Sequence, residues 1–153
     1  MNLEQLGLLG VFLAGATPWL EVEVGIPAGL LFGLDPFWVV TAALVGNAIM
    51  IFLFAYSGSA IRDWIRSKRK DKTSSKPDRF AKAQKLFDRY GIFGLAALAP
   101  VVVGTQFAAA IAVAAGVKPL RAALLINGAN AAWAIAIASL MLLIGLDRWA
   151  QFA

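Results

Sequence analysis

The sequence predicts an all-α integral membrane protein of two inverted repeats, each a re-entrant helical hairpin followed by one transmembrane helix. Three observations carry that expectation. First, 60% of the 153 residues are hydrophobic and only 15% are charged, where a soluble domain carries about a quarter. Mean hydropathy is +0.74. Second, the charges are segregated. Between Gly7 and Ile61 stand only Glu21, Glu23 and Asp35, and between Gly91 and Leu146 only Lys118 and Arg121. Polar surface cannot cover two such stretches, so lipid must be the solvent. Third, the apolar segments come in two lengths, one sufficient to span a bilayer and one not.

Repeat 1 is expected over residues 1–61, with a hairpin over 7–34 and a transmembrane helix over 36–61. The uncharged run Pro36–Ile61 has 26 residues, enough for the ~20 a crossing needs. Its leading Pro suits a first helical position, where the missing N–H costs nothing. The pieces before it are short: Gly7–Leu20 has 14 residues, interrupted by Pro18, and Val24–Leu34 has 11. At 1.5 Å per residue they reach roughly 16–21 Å, short of a ~30 Å hydrocarbon core. Half-length pieces joined by Pro18, Gly25 and Pro27 predict a hairpin that enters and leaves on one side. Pro27 is expected in the first turn of its second limb.

Residues 62–90 form the connection. SKRKDKTSSKPD reads as a polar loop, and DRFAKAQKLFDRYG then places Phe80, Ala83, Phe87 and Tyr90 on one helical face. That predicts an amphipathic helix lying on anionic headgroups. Repeat 2 is expected over 91–153: a hairpin over 91–117, turning at Pro100 and Gly104, then a transmembrane helix over 119–146. A constant offset of 83 relates the halves, pairing Gly33 with Gly116, Pro36 with Pro119 and Asn47 with Asn130.

Eleven of the fourteen Lys and Arg residues lie between Arg62 and Arg89, which marks that loop as cytoplasmic. With both short-limbed segments as hairpins, Lys118 and Arg121 are also inside. The expectation is therefore a multi-pass protein of the inner membrane with both termini outside. Trp38 and Trp149 then fall at the outer interface, and Tyr56, Trp64 and Tyr90 at the inner. The same clustering argues against nucleic acid as a partner. Two spans and two hairpins are few for enclosing a pathway, and small-residue faces are abundant, so a homodimer is expected.

Chemistry is narrowly bounded. The chain has no Cys and no His, which excludes thiolate and imidazole chemistry and His- or Cys-ligated metals. No cofactor or metal is expected. No nucleophile–base pair or nucleotide loop is present, so an enzyme is not expected. PWLEVEVGIPAG instead places Glu21 and Glu23 at the first hairpin tip, where buried carboxylates point to function. Two carboxylates this close repel, so one is expected to keep its proton. Asn47 and Asn130 fall near the middle of their long helices, and Thr105 and Gln106 at the second tip. Together the six side chains predict a central polar site for a substrate or cation, offering only oxygen and amide groups.

EVEVGIPAGLLFG resembles the first motif of the small multidrug export family, related in architecture to DedA-like membrane proteins. The family pattern Glu-x-Arg-x-x-x-Pro-x-Gly matches at Glu21, Pro27 and Gly29, and its later Gly-Asn pair at Gly46–Asn47. In the second half, FDRYGIFGL and APVVVGTQ resemble the corresponding runs through Pro100, Gly104 and Thr105. The resemblance implies export of a small substrate across the membrane. Glu23 occupies the family's Arg position, which argues against a buried anionic substrate. The combined expectation is a transporter of a small, cationic substrate or cation, driven by protons through the carboxylate pair. The alternatives are a DedA-like lipid carrier or scramblase, for which an Arg near phosphate is expected, and a non-transporting scaffold, for which both glutamates are dispensable.

Overall fold

A computed structural model describes residues 2–57 and 78–145. The connecting basic stretch and the residues after 145, including Trp64, Asp147, Arg148 and Trp149, lie outside the described residues. All described regular structure is helical: α1 (Leu3–Ala16), α2 (Glu21–Leu31), α3 (Pro36–Tyr56), α4 (Asp78–Val102), α5 (Thr105–Ala114) and α6 (Pro119–Leu143).

Each boundary has a local cause. α1 begins four residues before the expected Gly7. Asn2 and Gln5 form a capping box in which the Gln5 N–H donates to Asn2 Oδ1 at 2.8 Å and the Asn2 N–H to Gln5 Oε1 at 3.1 Å. Two otherwise orphaned donors are thereby satisfied. Asp35 caps α3 by accepting from the Phe37 and Trp38 N–H groups at 3.0 and 3.2 Å. Within α4, Gly91 adopts φ 65°, ψ −163°, a region open in practice only to glycine. It breaks the amphipathic segment from the apolar limb that follows.

α2 differs from the expectation. It starts at Glu21, so both glutamates lie in its first turn and Pro27 is interior. The starting signal is carboxylates at the positive end of the helix dipole, and it outweighs the preference of Pro for a first turn.

The offset of 83 extends from sequence to backbone. α2 ends at Leu31 and α5 at Ala114, and α3 and α6 start at Pro36 and Pro119. The closing turns match bond for bond. Gly33 N–H reaches Leu30 O as Gly116 N–H reaches Val113 O, all at 3.0 Å. Leu34 N–H reaches Gly29 O at 3.1 Å as Val117 N–H reaches Ala112 O at 3.0 Å. These are Schellman closures, with Gly in the left-handed position. The long helices match too. Val39, Ala43, Asn47, Ile51 and Ala55 are buried at every fourth position of α3, and Ala122, Ile126, Asn130, Ala134 and Ala138 are buried at the corresponding positions of α6.

Packing divides the chain into two units, residues 1–50 with 130–153, and residues 51–129. In the first, α1 packs on α2 around a core of Val11, Val22, Ile26, Leu30, Val39, Ala43, Ala134, Ala138 and Met141. α1 and α3 touch backbone to backbone. A methyl added at Gly15 would strike the Ala43 carbonyl, and one at Gly46 the Phe12 carbonyl. Small residues permit such approach between membrane helices.

In the second unit, the apolar limb of α4 packs on α5, with Ile51 and Ala55 of α3 and Ala122, Ala123 and Ile126 of α6 in the same core. Leu86 and Phe87 pack against that core too, and Ala83 is part of it. Within the amphipathic segment, much of the apolar face expected on lipid is therefore turned toward protein. Lys82, Lys85 and Arg89 are exposed, as is Tyr90.

α3 and α6 are long and apolar enough to cross a membrane, yet only 28% of the most apolar stretch of each is buried. Val45, Ile49 and Leu53 of α3 and Leu120, Leu124 and Ile135 of α6 are exposed. A soluble protein would not display such continuous apolar surface without a partner.

Candidate functional site

The turn between α1 and α2 is tight and strained. Thr17 Oγ1 donates to Leu13 O at 2.7 Å, ending α1. The Leu20 and Glu21 N–H groups both return to Thr17 O, at 3.2 and 3.3 Å. Trp19 and Glu21 have positive φ, 83° and 37°. Non-glycine residues seldom occupy that region, and their presence marks an over-determined local structure. Nothing in the types Trp and Glu signals this turn, so Trp19 was not among the expected residues. Its 65% exposure leaves an aromatic ring uncovered by protein in the turn between α1 and α2. Gly25 lets α2 lie close on α1, since a methyl there would stand 3.3 Å from Val11 O.

Glu21 is 2% exposed and engaged within the structure. Glu23 is half-buried, and its Oε1 is buried with no hydrogen-bond partner among the described residues. Leu20, at the N-cap of α2, supplies no side-chain cap, and both carboxylates belong to the first turn, at the positive end of the helix dipole. Pro27 has no N–H to return to the Glu23 carbonyl, which removes one helical bond at the same place.

Asn47 and Asn130 are fully buried, each at the centre of its stripe. Asn47 is engaged within the structure. For Asn130, neither Nδ2 nor Oδ1 has a hydrogen-bond partner among the described residues.

Glu21, Glu23, Asn47 and Asn130 all belong to the first unit. Its described residues include no Lys or Arg, and the chain has no His. No basic side chain therefore stands among the described residues of the unit that holds the two carboxylates.

Thr105 and Gln106 fall in the second unit. Both are fully buried in the first turn of α5 and engaged within the structure. Gly104 precedes them at φ 90°, and the Val103 and Gly104 N–H groups converge on Ala99 O at 3.1 and 2.8 Å. Pro100 lies two residues before the end of α4. Among the described residues no cluster of three or more Asp or Glu could hold a metal ion.

One comparison with known proteins gives a match. The profile of the family described as "Putative small multi-drug export protein" matches residues 21–147, from the first carboxylate of α2 to beyond the end of α6. No curated protein and no solved structure matches the chain.

Proposed function

Because the chain belongs to the small multi-drug export family, we propose that this membrane protein exports a small cationic substrate, with Glu21 and Glu23 as the site where substrate and protons compete. The observation that carries the proposal is the charge inventory around that site. Two carboxylates share the first turn of α2 in a unit whose described residues contain no basic side chain. A site of that kind favours a positive ligand and disfavours phosphate or carboxylate substrates. Asn47 and Asn130 supply uncharged polar groups to the same unit. Thr105 and Gln106 form the equivalent tip in the other unit.

The architecture proposed is a pair of inverted repeats. The matched closures at Gly33 and Gly116, and the matched stripes of α3 and α6, support a duplicated unit. One crossing per repeat makes the copies antiparallel in the membrane. In this arrangement α1–α2 and the apolar limb of α4 with α5 are re-entrant, both termini lie outside an inner membrane, and the basic connection is cytoplasmic. Two copies of the chain complete the transporter, and chemistry on the substrate plays no part.

Proteoliposome flux tests the reading. Organic cations should move down an imposed pH gradient in the native protein. Glu21→Gln and Glu23→Gln should each abolish coupled flux while folding is kept, and Glu→Asp should retain part of it. The double Gln variant should lose the dependence of flux on pH. Undiminished coupled flux in the double variant would remove the carboxylates from the mechanism.

A further inference from the structure

We infer that the first unit recognises a protonated amine bearing both N–H donors and a hydrogen-bond acceptor, rather than a bare metal ion or a quaternary ammonium, and that Asn130 reads the acceptor. The inference rests on the cation-export reading and deepens it by naming the chemical class of substrate.

Asn130 is fully buried with both ends of its carboxamide unmatched by any described residue. Because both ends are unmatched, the conclusion does not depend on which way the amide is turned. An asparagine serving only to glue helices together needs a partner on the neighbouring helix. Asn47, the repeat counterpart, is engaged within the structure with only its Nδ2 unmatched, whereas both ends of Asn130 are unmatched among the described residues. The two halves share a backbone register but have diverged in what this position does.

A buried carboxamide wants a donor for its oxygen and an acceptor for its two N–H bonds. Glu23 Oε1 adds one more unmatched acceptor in the same unit. Residues near each of them in sequence belong to one buried cluster. Val22 and Ile26 flank Glu23 on α2, and Ala134 lies one turn beyond Asn130 on α6. Asn130 Oδ1 and Glu23 Oε1 therefore ask for donors, and Asn130 Nδ2 asks for an acceptor. A potassium or sodium ion can serve the oxygens but leaves the Asn130 N–H groups unmatched. A quaternary ammonium offers no N–H donor. A small primary ammonium carrying a hydroxyl or carbonyl oxygen serves all three atoms.

The test uses the full chain in nanodiscs for binding and in proteoliposomes for flux. The probes are ethanolamine, ethylamine, choline, tetramethylammonium and potassium. Ethanolamine should bind at least about tenfold more tightly than ethylamine, tetramethylammonium or potassium, because each of those leaves a buried polar atom unpaired. Choline keeps the hydroxyl but loses the N–H donors and should fall below ethanolamine by a similar factor.

Asn130→Leu should bring ethanolamine and ethylamine to within about twofold of one another. The same variant without ligand should be at least as heat-stable as the native protein, since it removes an unmatched buried group of similar size. Asn47→Leu, which removes an engaged group, should be less stable. Equal binding of tetramethylammonium and ethanolamine would overturn the inference while leaving cation export standing. Failure of Asn130→Leu to fold would overturn it too, by showing that the amide holds structure. If none of the organic cations binds or moves, the export reading itself fails and the inference with it.

Discussion

Gly46→Ala should destabilise the first unit by forcing α1 and α3 apart. The added methyl would collide with the Phe12 carbonyl oxygen and stand 3.1 Å from the Ala16 nitrogen. Both obstacles are backbone, so no side-chain rotation relieves them. Gly15→Ala meets the mirror-image problem on α1, against the Ala43 carbonyl oxygen, with Ala43 Cα 3.0 Å away. Restoring an ordinary carbon–oxygen contact requires a separation of about 1 Å. A gap of that size already forfeits about a quarter to a half of the dispersion attraction across the interface. Overpacking costs about 1–3 kcal/mol, against about 0.5–1 kcal/mol gained by alanine over glycine within a helix. A net loss of up to about 2.5 kcal/mol per substitution follows. Both methyls push on the same helix pair, so the double variant should lose less than the sum of the single losses. Gly10→Ala and Gly128→Ala are controls, because an added methyl there meets nothing within 4 Å, and they should gain stability. Reversible unfolding in mixed detergent micelles, followed by Trp fluorescence, measures all five variants. Gly46→Ala as stable as Gly10→Ala, or a fully additive double variant, would refute the close approach of α1 and α3.

Asp35→Ala should cost about 0.5–2 kcal/mol by leaving the first N–H groups of α3 uncapped, measured in the same assay. At Gly91 an added methyl meets no neighbour, so the loss on Gly91→Ala, about 1–3 kcal/mol, should come from backbone conformation alone. Lys118→Cys in this Cys-free chain should react with a membrane-impermeant maleimide only from the cytoplasmic side, and labelling from outside alone would reverse the proposed topology. Mass in nanodiscs, with the lipid subtracted, should correspond to two chains, and a monomer that still transports at high dilution would contradict the dimer.

Helix ends carried by Gly and Pro were legible in the sequence. Gly33, Pro36, Gly116 and Pro119 each impose a backbone conformation that few other residues share, and the structure stops or starts helices there. Interior Pro misleads. Pro27 reads as a helix start, yet α2 begins six residues earlier, because helices in apolar surroundings tolerate proline and the glutamates supply the stronger N-terminal signal. The Asn2–Gln5 box was legible in principle, but the uncharged run drew the boundary to Gly7. Trp19 and Glu21 carry no left-handed signature, so the strained turn could be found only from the backbone. For the site, buried carboxylates in an apolar run were conspicuous. The difference between Asn47 and Asn130 was not. Two identical residues at matched positions look alike in a sequence and differ only in what surrounds them.

The division of the chain into units has a consequence for biosynthesis. Residues 51–129 are contiguous, so all the described parts of their core leave the ribosome in one stretch. The unit holding Glu21, Glu23 and Asn47 is discontinuous and takes Asn130, Ala134, Ala138 and Met141 from α6. The gap from residue 50 to residue 130 is 80 residues, roughly 4–16 s of synthesis at 5–20 residues per second. During that interval α1, α2 and the start of α3 exist with their carboxylates but without the helix that completes their core. The contiguous unit draws on the first half of the same helix, through Ala122, Ala123 and Ile126. Both cores close only when α6 is inserted, so an incompletely made chain lacks the finished unit that holds Glu21, Glu23 and Asn130.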